Sequence, residues 1–410
     1  MKSCGYLSRP IRVAVLFDQH LESGGGYQQA LNAVGLLSAL PAELIEPVYF
    51  TLFEESQRVL AEKGIVSKVL TISRLGYFSL IFRRFLKHPR LLRKWVKLFP
   101  ENIFERCFSR ENIDLVYFLS PNSLSANLER LNYIITVWDL CHRDDMEFPE
   151  VRSLREFEAR ELTYWSSLSK AIAVLTDSDL GKDNIVRRYG VDEERVHVMP
   201  FEAMPAIQIE NTESSINVSK KYKLNLPYIF YPAQFWAHKN HIYVLEGLKI
   251  LECEFGYQVG AIFSGGDKGN LAYIRSQVAA LDLQSRIIFA GFVGDQEIKD
   301  LYCQSLALVM PTYFGPTNLP PLEAFELGTP VLYPDKKGLR EQVSNAALLI
   351  DLQNPRSMAL HLKSLIEEPE LRTQLTAFGK ERLENFSKES RSKILEKIFR
   401  NFQSRRICWE

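Results

Sequence analysis

The stretch Pro311–Val331, PTYFGPTNLPPLEAFELGTPV, concentrates the residues best suited to chemistry. An apolar run (LALVMP) feeds a polar turn of Gly, Pro, Thr and Asn. Pro320 and Pro321 then open a short helix carrying Glu323, Gly328 closes it, and a new apolar run begins at Pro330. This order of strand, loop, helix N-terminus and strand aims backbone N–H groups and one carboxylate at a single spot. Phosphate on the amides and sugar hydroxyls on the carboxylate would suit that spot, which points toward nucleotide-sugar chemistry. A carboxylate one turn into a helix can accept from two adjacent ribose hydroxyls, and such charge-assisted bonds are strong. The plain alternative is a helix-dipole carboxylate with no ligand. Glu326 shares the same face, but one short helix does not separate two carboxyls as acid/base hydrolysis requires.

Lys239 sits in PAQFWAHKNH, between an apolar run at Tyr228–Tyr231 and a helical pattern from about Ile242. A diphosphate there would gain the ammonium charge plus a helix N-terminal field of roughly 0.3–1 kcal/mol. The alternative is a solvated surface lysine. Gly265 and Gly266 follow the run Gly260–Ser264, where glycines let a ligand or a backbone approach closely, or simply make a tight turn. The loop GFVG, with Phe292 and Val293, follows Arg286–Ala290 and offers an apolar shelf for a flat base. Asp295 then reads as an N-cap. In the first half, Gly24, Gly25 and Gly26 precede a helix expected from about Tyr27, whose amides could approach a phosphate or the reacting centre. Asp144 and Asp145 suggest a metal pair at first sight, but read better as a solvated turn.

These residues need a scaffold. Short β-branched runs alternate with amphipathic segments almost throughout, at Arg12–Phe17, Leu115–Leu119, Tyr133–Val137, Ala171–Leu175 and Val196–Met199. In the second half they recur at Tyr228–Tyr231, Gly260–Ser264, Arg286–Ala290, Leu306–Met310 and Pro330–Tyr333. Helical patterns between them include Val151–Ser167, Asp179–Tyr189, Ile242–Glu254 and Asp295–Gln304. That alternation predicts parallel sheets wrapped on both faces. The series lapses in a polar stretch with two prolines before Pro227. The expected organisation is an N-terminal acceptor-binding Rossmann-like domain (1–205), a linker (206–227) and a C-terminal nucleotide-sugar-binding Rossmann-like domain (228–384). A helical tail (385–410) should pack back on the first domain. Ligands of such sheets bind beyond the C-terminal strand edges.

Composition sets bounds. A chain of 410 residues suggests roughly two to three domains of about 150 residues. Lys plus Arg balances Asp plus Glu at 50 each, which argues against a general nucleic-acid binder. Six scattered cysteines without a CxxC pair indicate neither zinc ribbon nor disulfide framework and fit a reducing cytosol. No signal-peptide core and no spanning run is visible, so a soluble or membrane-surface protein is expected. Residues Arg74–Lys97, RLGYFSLIFRRFLKHPRLLRKWVK, carry only positive formal charge interleaved with Phe, Leu, Ile and Trp. They read either as an interfacial helix pair on anionic lipid or as a basic solvated face over an apolar core.

On these residues the chain resembles the retaining GT-B glycosyltransferases of family 4. The counterparts of that family's second-domain motifs are FYPAQFWAHKNHIYVLEGL, FSGGD, GFVGDQEIKDLY and FGPTNLPPLEAFELGTPV. The likeness runs over nearly the whole chain, and its PPLEA spacing matches without gaps. It implies an α/β GT-B fold, two doubly wound Rossmann-like domains facing across a cleft. By position, Lys239 matches the lysine on the donor diphosphate and Glu323 the second glutamate of the E-x7-E motif, which holds the ribose. Thr317, Asn318 and Leu319 match the loop whose amides meet donor sugar and phosphate, and Gly24–Gly26 match the glycine loop near the reacting phosphate.

Three departures stand out. Gly315 replaces the first glutamate, Ala233 and Gln234 replace a basic residue before the lysine, and Trp138–Asp139 replaces a His-Asp pair. Gln234 or His238 then offers a neutral donor, and Asp139 is a catalytic candidate beside Lys239. The resemblance implies hexose transfer from a GDP-, UDP- or ADP-linked sugar, with mannose suggested by likeness to lipopolysaccharide mannosyltransferases. It implies a glycan or lipid-linked acceptor, no metal or other cofactor, and a cytoplasmic place with peripheral membrane contact. Rival readings are a nucleotide-sugar-binding subunit without turnover and a GT-B epimerase.

Overall fold

The computed structural model describes residues 9–18, 24–72, 74, 76, 80, 103–202, 216–315, 317–384 and 388–409. The chain divides into two compact units. One comprises Met1–Trp138, Glu158–Met199 and Lys388–Glu410, the other Asp139–Phe157 and Pro200–Ser387.

The first unit is built on seven parallel strands in the order β3-β2-β1-β4-β5-β6-β7. They are β1 (Ile11–Phe17), β2 (Ile45–Thr51), β3 (Ser67–Val69), β4 (Leu115–Phe118), β5 (Asn132–Val137), β6 (Ala173–Thr176) and β7 (Val196–Val198). β1 is buried on both faces, with Ala14 and Leu16 on one and Val13, Val15 and Phe17 on the other. Val13, Val15 and Phe17 join Ala30, Ala33 and Leu37 of the helix Gly24–Leu37, and Leu395, Phe399 and Phe402 of the C-terminal helix Lys388–Arg406. Local signals set other boundaries. Ser178 caps the helix Asp179–Tyr189 by accepting from the Gly181 N–H, and Gly190 closes it at φ 65°, a conformation that suits glycine.

The second unit carries six parallel strands in the order β10-β9-β8-β11-β12-β13. They are β8 (Tyr228–Pro232), β9 (Gly260–Ser264), β10 (Ile287–Gly291), β11 (Ala307–Val309), β12 (Val331–Pro334) and β13 (Leu348–Ile350). Ile229, Ile262, Leu308 and Leu332 form the centre of its core.

Strands β2, β3 and β13 lie outside the pattern read from sequence. Pro47 disguises β2, since proline cannot donate to a ladder. It is accommodated because β3 pairs only with Tyr49–Thr51, leaving no partner strand beside Pro47 on that side among the described residues. The helix expected over Val151–Ser167 is broken. A single turn, Pro149–Arg152, is followed by Leu154 and Arg155 at φ 54° and 61°, then by the helix Glu156–Ser167.

The sequence predicts a first domain unbroken to residue 205, whereas residues 139–157 cluster with the second unit. Phe148 holds this excursion there, its ring centroid 5.2 Å from those of both Tyr313 and Phe314. The basic segment Arg74–Lys97, apart from residues 74, 76 and 80, and residues 203–215 around the expected linker lie outside the described residues. Among the described residues no helix is long and apolar enough to cross a membrane.

Candidate functional site

In the second unit the strand order reverses between β8 and β11. In open parallel sheets that reversal leaves a crevice beyond the strand ends, and ligands bind there. Lys239 leaves β8 on a short turn, Ala237–Lys239, which the helix His241–Phe255 follows. The loop after β11 leads into the helix Leu319–Glu326. The two segments meet, because Lys239 Nζ donates to Asn318 Oδ1 at 3.3 Å and Asn318 is the residue capping the Glu323 helix. Lys239 and Glu323 therefore belong to one side of one sheet. Burial draws the Lys239 ammonium down to about 8, against the opposing pull of Cys141, Asp139 and Glu150.

Glu323 is 4% exposed. Its Oε2 accepts from the hydroxyl of Tyr302 at 2.8 Å. Burial raises its carboxyl to about 7, and the tyrosine bond works the other way. Pro320 and Pro321 carry no N–H, so within the first turn Leu319 alone can donate. The Asn318 N–H is committed to Gln342 Oε1 at 2.9 Å, and Gln342 Nε2 returns a bond to the Asn318 carbonyl at 2.6 Å. The expectation that Asn318 and its neighbours all present amides to a donor is thus corrected. Asn318 offers its side chain, which also donates to the Tyr333 hydroxyl at 2.7 Å. Thr317 stands in the same loop, with its carbonyl 3.0 Å from where a Cβ on Gly315 would lie.

Gly315 itself has φ 87°, a left-handed conformation in which a side chain is strained. Its N–H donates to Cys141 Sγ at 3.1 Å. The glutamate that the resemblance leads one to look for would be strained at this position.

The remaining donor-side candidates separate. Gly265 is required by backbone packing, since a Cβ there would lie 2.3 Å from the Ala233 carbonyl oxygen, and its N–H donates to the Gly291 carbonyl at 2.9 Å. Gly266 faces open space and accepts the Phe235 N–H at 2.9 Å. Gln234 Oε1 accepts from Trp236 Nε1 at 3.0 Å. Phe292 is 92% exposed while Val293 is buried in the core. Of the expected shelf, Phe292 is the exposed part and Val293 packs in the core. Gly294, not Asp295, caps the next helix.

The excursion 139–157 brings residues that motif reading did not couple to this loop system. Asp139 Oδ1 accepts the Cys141 N–H at 3.0 Å. Glu150 bonds His238, the neighbour of Lys239. Asp145, read from sequence as part of a solvated turn, grips Lys336 Nζ with both oxygens at 2.8 and 2.7 Å, and Lys336 also donates to the Tyr313 carbonyl. Burial raises the Asp145 carboxyl and Lys336 opposes it.

In the first unit Gly24, Gly25 and Gly26 form the first turn of the helix Gly24–Leu37 instead of preceding it. A Cβ on Gly26 would lie 2.5 Å from the Trp138 indole, so the glycine there makes room for the tryptophan. This sheet reverses order between β1 and β4. Asp18, directly after β1, accepts from Asn122 Nδ2 at 2.6 Å and from the Ser120 hydroxyl, both just beyond β4. An acid immediately following the first apolar run was the available signal for it.

Comparison with known proteins bears on the fold and on the second half of the chain. Residues 214–382 match the family model described as Glycosyl transferases group 1. The O-antigen chain mannosyltransferase RfbU of Salmonella typhimurium is 26% identical over 204 residues, covering 50% of this chain and 54% of that protein. This chain thus spans about half the length of that relative. The O-antigen chain mannosyltransferase B of Escherichia coli is 24% identical over 305 residues, covering 74% and 78%. The crystal structure of Anabaena Alr3699/HepE in complex with UDP superposes with TM-score 0.70 at 15% identity, over 95% of this chain and 100% of that one. The chain has the two-domain α/β GT-B fold, and its residues 214–382 are similar to the group 1 glycosyltransferases.

Proposed function

We propose that the chain is a retaining glycosyltransferase of family 4 in surface polysaccharide synthesis, moving a hexose from a nucleotide sugar to a glycan or lipid-linked acceptor. The observation that carries this reading is the Lys239–Asn318 contact at the β8/β11 reversal, on the loop that opens the Glu323 helix. The names of the Salmonella and Escherichia relatives favour mannose, and the UDP in the Anabaena structure keeps a uridine donor in view.

In this reading the Lys239 ammonium, the Leu319 N–H and the helix field take the diphosphate charge. Glu323 receives the ribose hydroxyls, Phe292 carries the base, and Gly265, Gly266, Gln234, Thr317 and Asn318 line the donor. Gly24–Gly26 serve the acceptor side. As the bond from sugar to diphosphate breaks, negative charge grows on the leaving phosphate, and Lys239 stabilises it. The leaving oxygen takes the acceptor proton on the same face, which gives retention without a protein nucleophile. Asp139, whose charge helps keep Lys239 protonated, assists from the same region. The chemistry assigned to these side chains needs no metal. The place proposed is the cytoplasm, with the basic segment 74–97 reaching anionic lipid.

Calorimetric titration with UDP, GDP and ADP, followed by transfer assays with the sugar of the base that binds, tests the reading. Lys239→Ala should lower turnover by ~10²–10³ with the fold intact. Unchanged turnover would remove Lys239 from the site. Nucleotide binding without turnover on any acceptor would favour a binding subunit, the alternative that Gly315 motivates.

A further inference from the structure

One side chain, His238, ties the Lys239 turn to two other segments. Its ring lies flat on Phe314, with centroids 4.1 Å apart and planes 9° from parallel. Its backbone N–H donates to Glu150 Oε1 at 2.9 Å, and its Nδ1 bonds the same oxygen. Its carbonyl accepts the Tyr313 N–H at 2.9 Å. The His238 and Glu150 side chains are only 11% and 10% exposed. Burial holds the imidazole down at about 4, with Glu150 opposing, so it is neutral at neutral pH. A neutral ring facing a carboxylate donates from Nδ1, so the carboxylate sets both tautomer and ring orientation.

We propose that His238, oriented by Glu150 and stacked on Phe314, is a positioning residue that holds Lys239 in register with Phe314 and Asn318, so that a nucleoside diphosphate meets both together. The inference rests on the reading of Lys239 as the diphosphate-binding cation. The physical reason is pre-organisation. Lys239 follows His238 directly, and its contact to Asn318 spans the same gap that the ring closes against Phe314. A bound diphosphate then finds its cation already placed instead of ordering a loop on arrival. The charged and titratable groups facing this pair are Glu150, Asp139 and Cys141, together with His241 at the start of the following helix.

The test is titration of the whole chain with UDP and GDP, read as Kd across the pH range in which Lys239 loses its proton. The proteins compared are wild type, Lys239→Ala, His238→Ala, Glu150→Ala and Glu150→Gln. His238→Ala and Glu150→Ala should weaken binding by ~10–100-fold, the effect of a small misplacement. His238→Ala should also move the alkaline loss of affinity to higher pH, because a loosened turn admits water to the ammonium, whereas the Glu150 variants also remove a carboxylate that holds that proton and are read by Kd alone. Glu150→Gln keeps an oxygen for both His238 donors and should recover most of the affinity. A melting temperature that falls with no change in Kd or in the pH midpoint would make His238 merely structural and overturn the inference. Should His238→Ala fail to fold, the two Glu150 variants carry the comparison of Kd, with Glu150→Gln as the recovering control. Absence of nucleotide binding in wild type, or full binding by Lys239→Ala, would sink the donor-site reading itself. Lys239-dependent binding that ignores His238 and Glu150 would sink this inference alone.

Discussion

Tyr302 is the hydrogen-bond donor to Glu323, its hydroxyl 2.8 Å from Oε2, with both side chains buried. One neutral donor does not replace the water lost on burial, so the Glu323 carboxyl rises from 4.5 to about 7. The folded chain then binds this proton more tightly than the unfolded chain. The stabilisation is complete below 4.5 and is lost as pH rises through about 7. Glu323→Gln should flatten that part of the stability–pH curve, as read by urea denaturation at a series of pH values. It should also weaken nucleoside diphosphate binding by ~10-fold or more, the scale of a lost charge-assisted bond. An unchanged pH slope in the variant would show that Glu323 is not the group titrating.

Gly315 predicts the outcome of restoring a missing motif residue. At φ 87°, with the Thr317 carbonyl 3.0 Å from an added Cβ, Gly315→Glu should destabilise by about 1–3 kcal/mol. It should also disturb the N–H bond to Cys141. Turnover should fall, although the substitution supplies the glutamate that the sequence resemblance leads one to expect. The measurement is initial transfer rate beside thermal melting, and a faster variant would contradict the loop geometry.

Much of the scaffold and part of the site are legible in sequence for a local reason. Strand, loop and helix follow one another within a few residues, so Lys239 after β8 and Glu323 beyond β11 can be set at C-terminal strand edges from pattern alone. What stays hidden depends on partners far away in the chain. Glu150 meets His238 across 88 residues, and Asp145 meets Lys336 across 191. Neither pair has a spacing signal, and an acidic turn reads as solvated until its cation is found. The burial of Val293 is hidden for a related reason. Alternation beside an exposed Phe292 does not reveal which of the two neighbours turns into the core. The transfer of residues 139–157 to the second unit is similarly tertiary, since it follows from Phe148 finding Tyr313 and Phe314.

His241 opens the helix after Lys239 and is fully buried among Tyr231, Phe235 and Phe263, with ring centroids 4.7, 5.0 and 5.0 Å away. Neither ring nitrogen has a hydrogen-bond partner among the described residues. Burial, reinforced by Lys239 and His238, lowers its imidazole from 6.5 to about 3. The unfolded chain therefore takes up this proton first, and stability present above 6.5 drains away as pH falls toward 3. Phenylalanine has a similar shape and no polar atom to leave unsatisfied. His241→Phe should raise stability by ~1–3 kcal/mol, the range for a buried polar group without a partner, and should flatten the acid side of the curve. Melting temperature and denaturant midpoint at neutral and acid pH measure both effects. A variant that melts lower than wild type at neutral pH would show that the ring nitrogens make a contact that phenylalanine cannot replace.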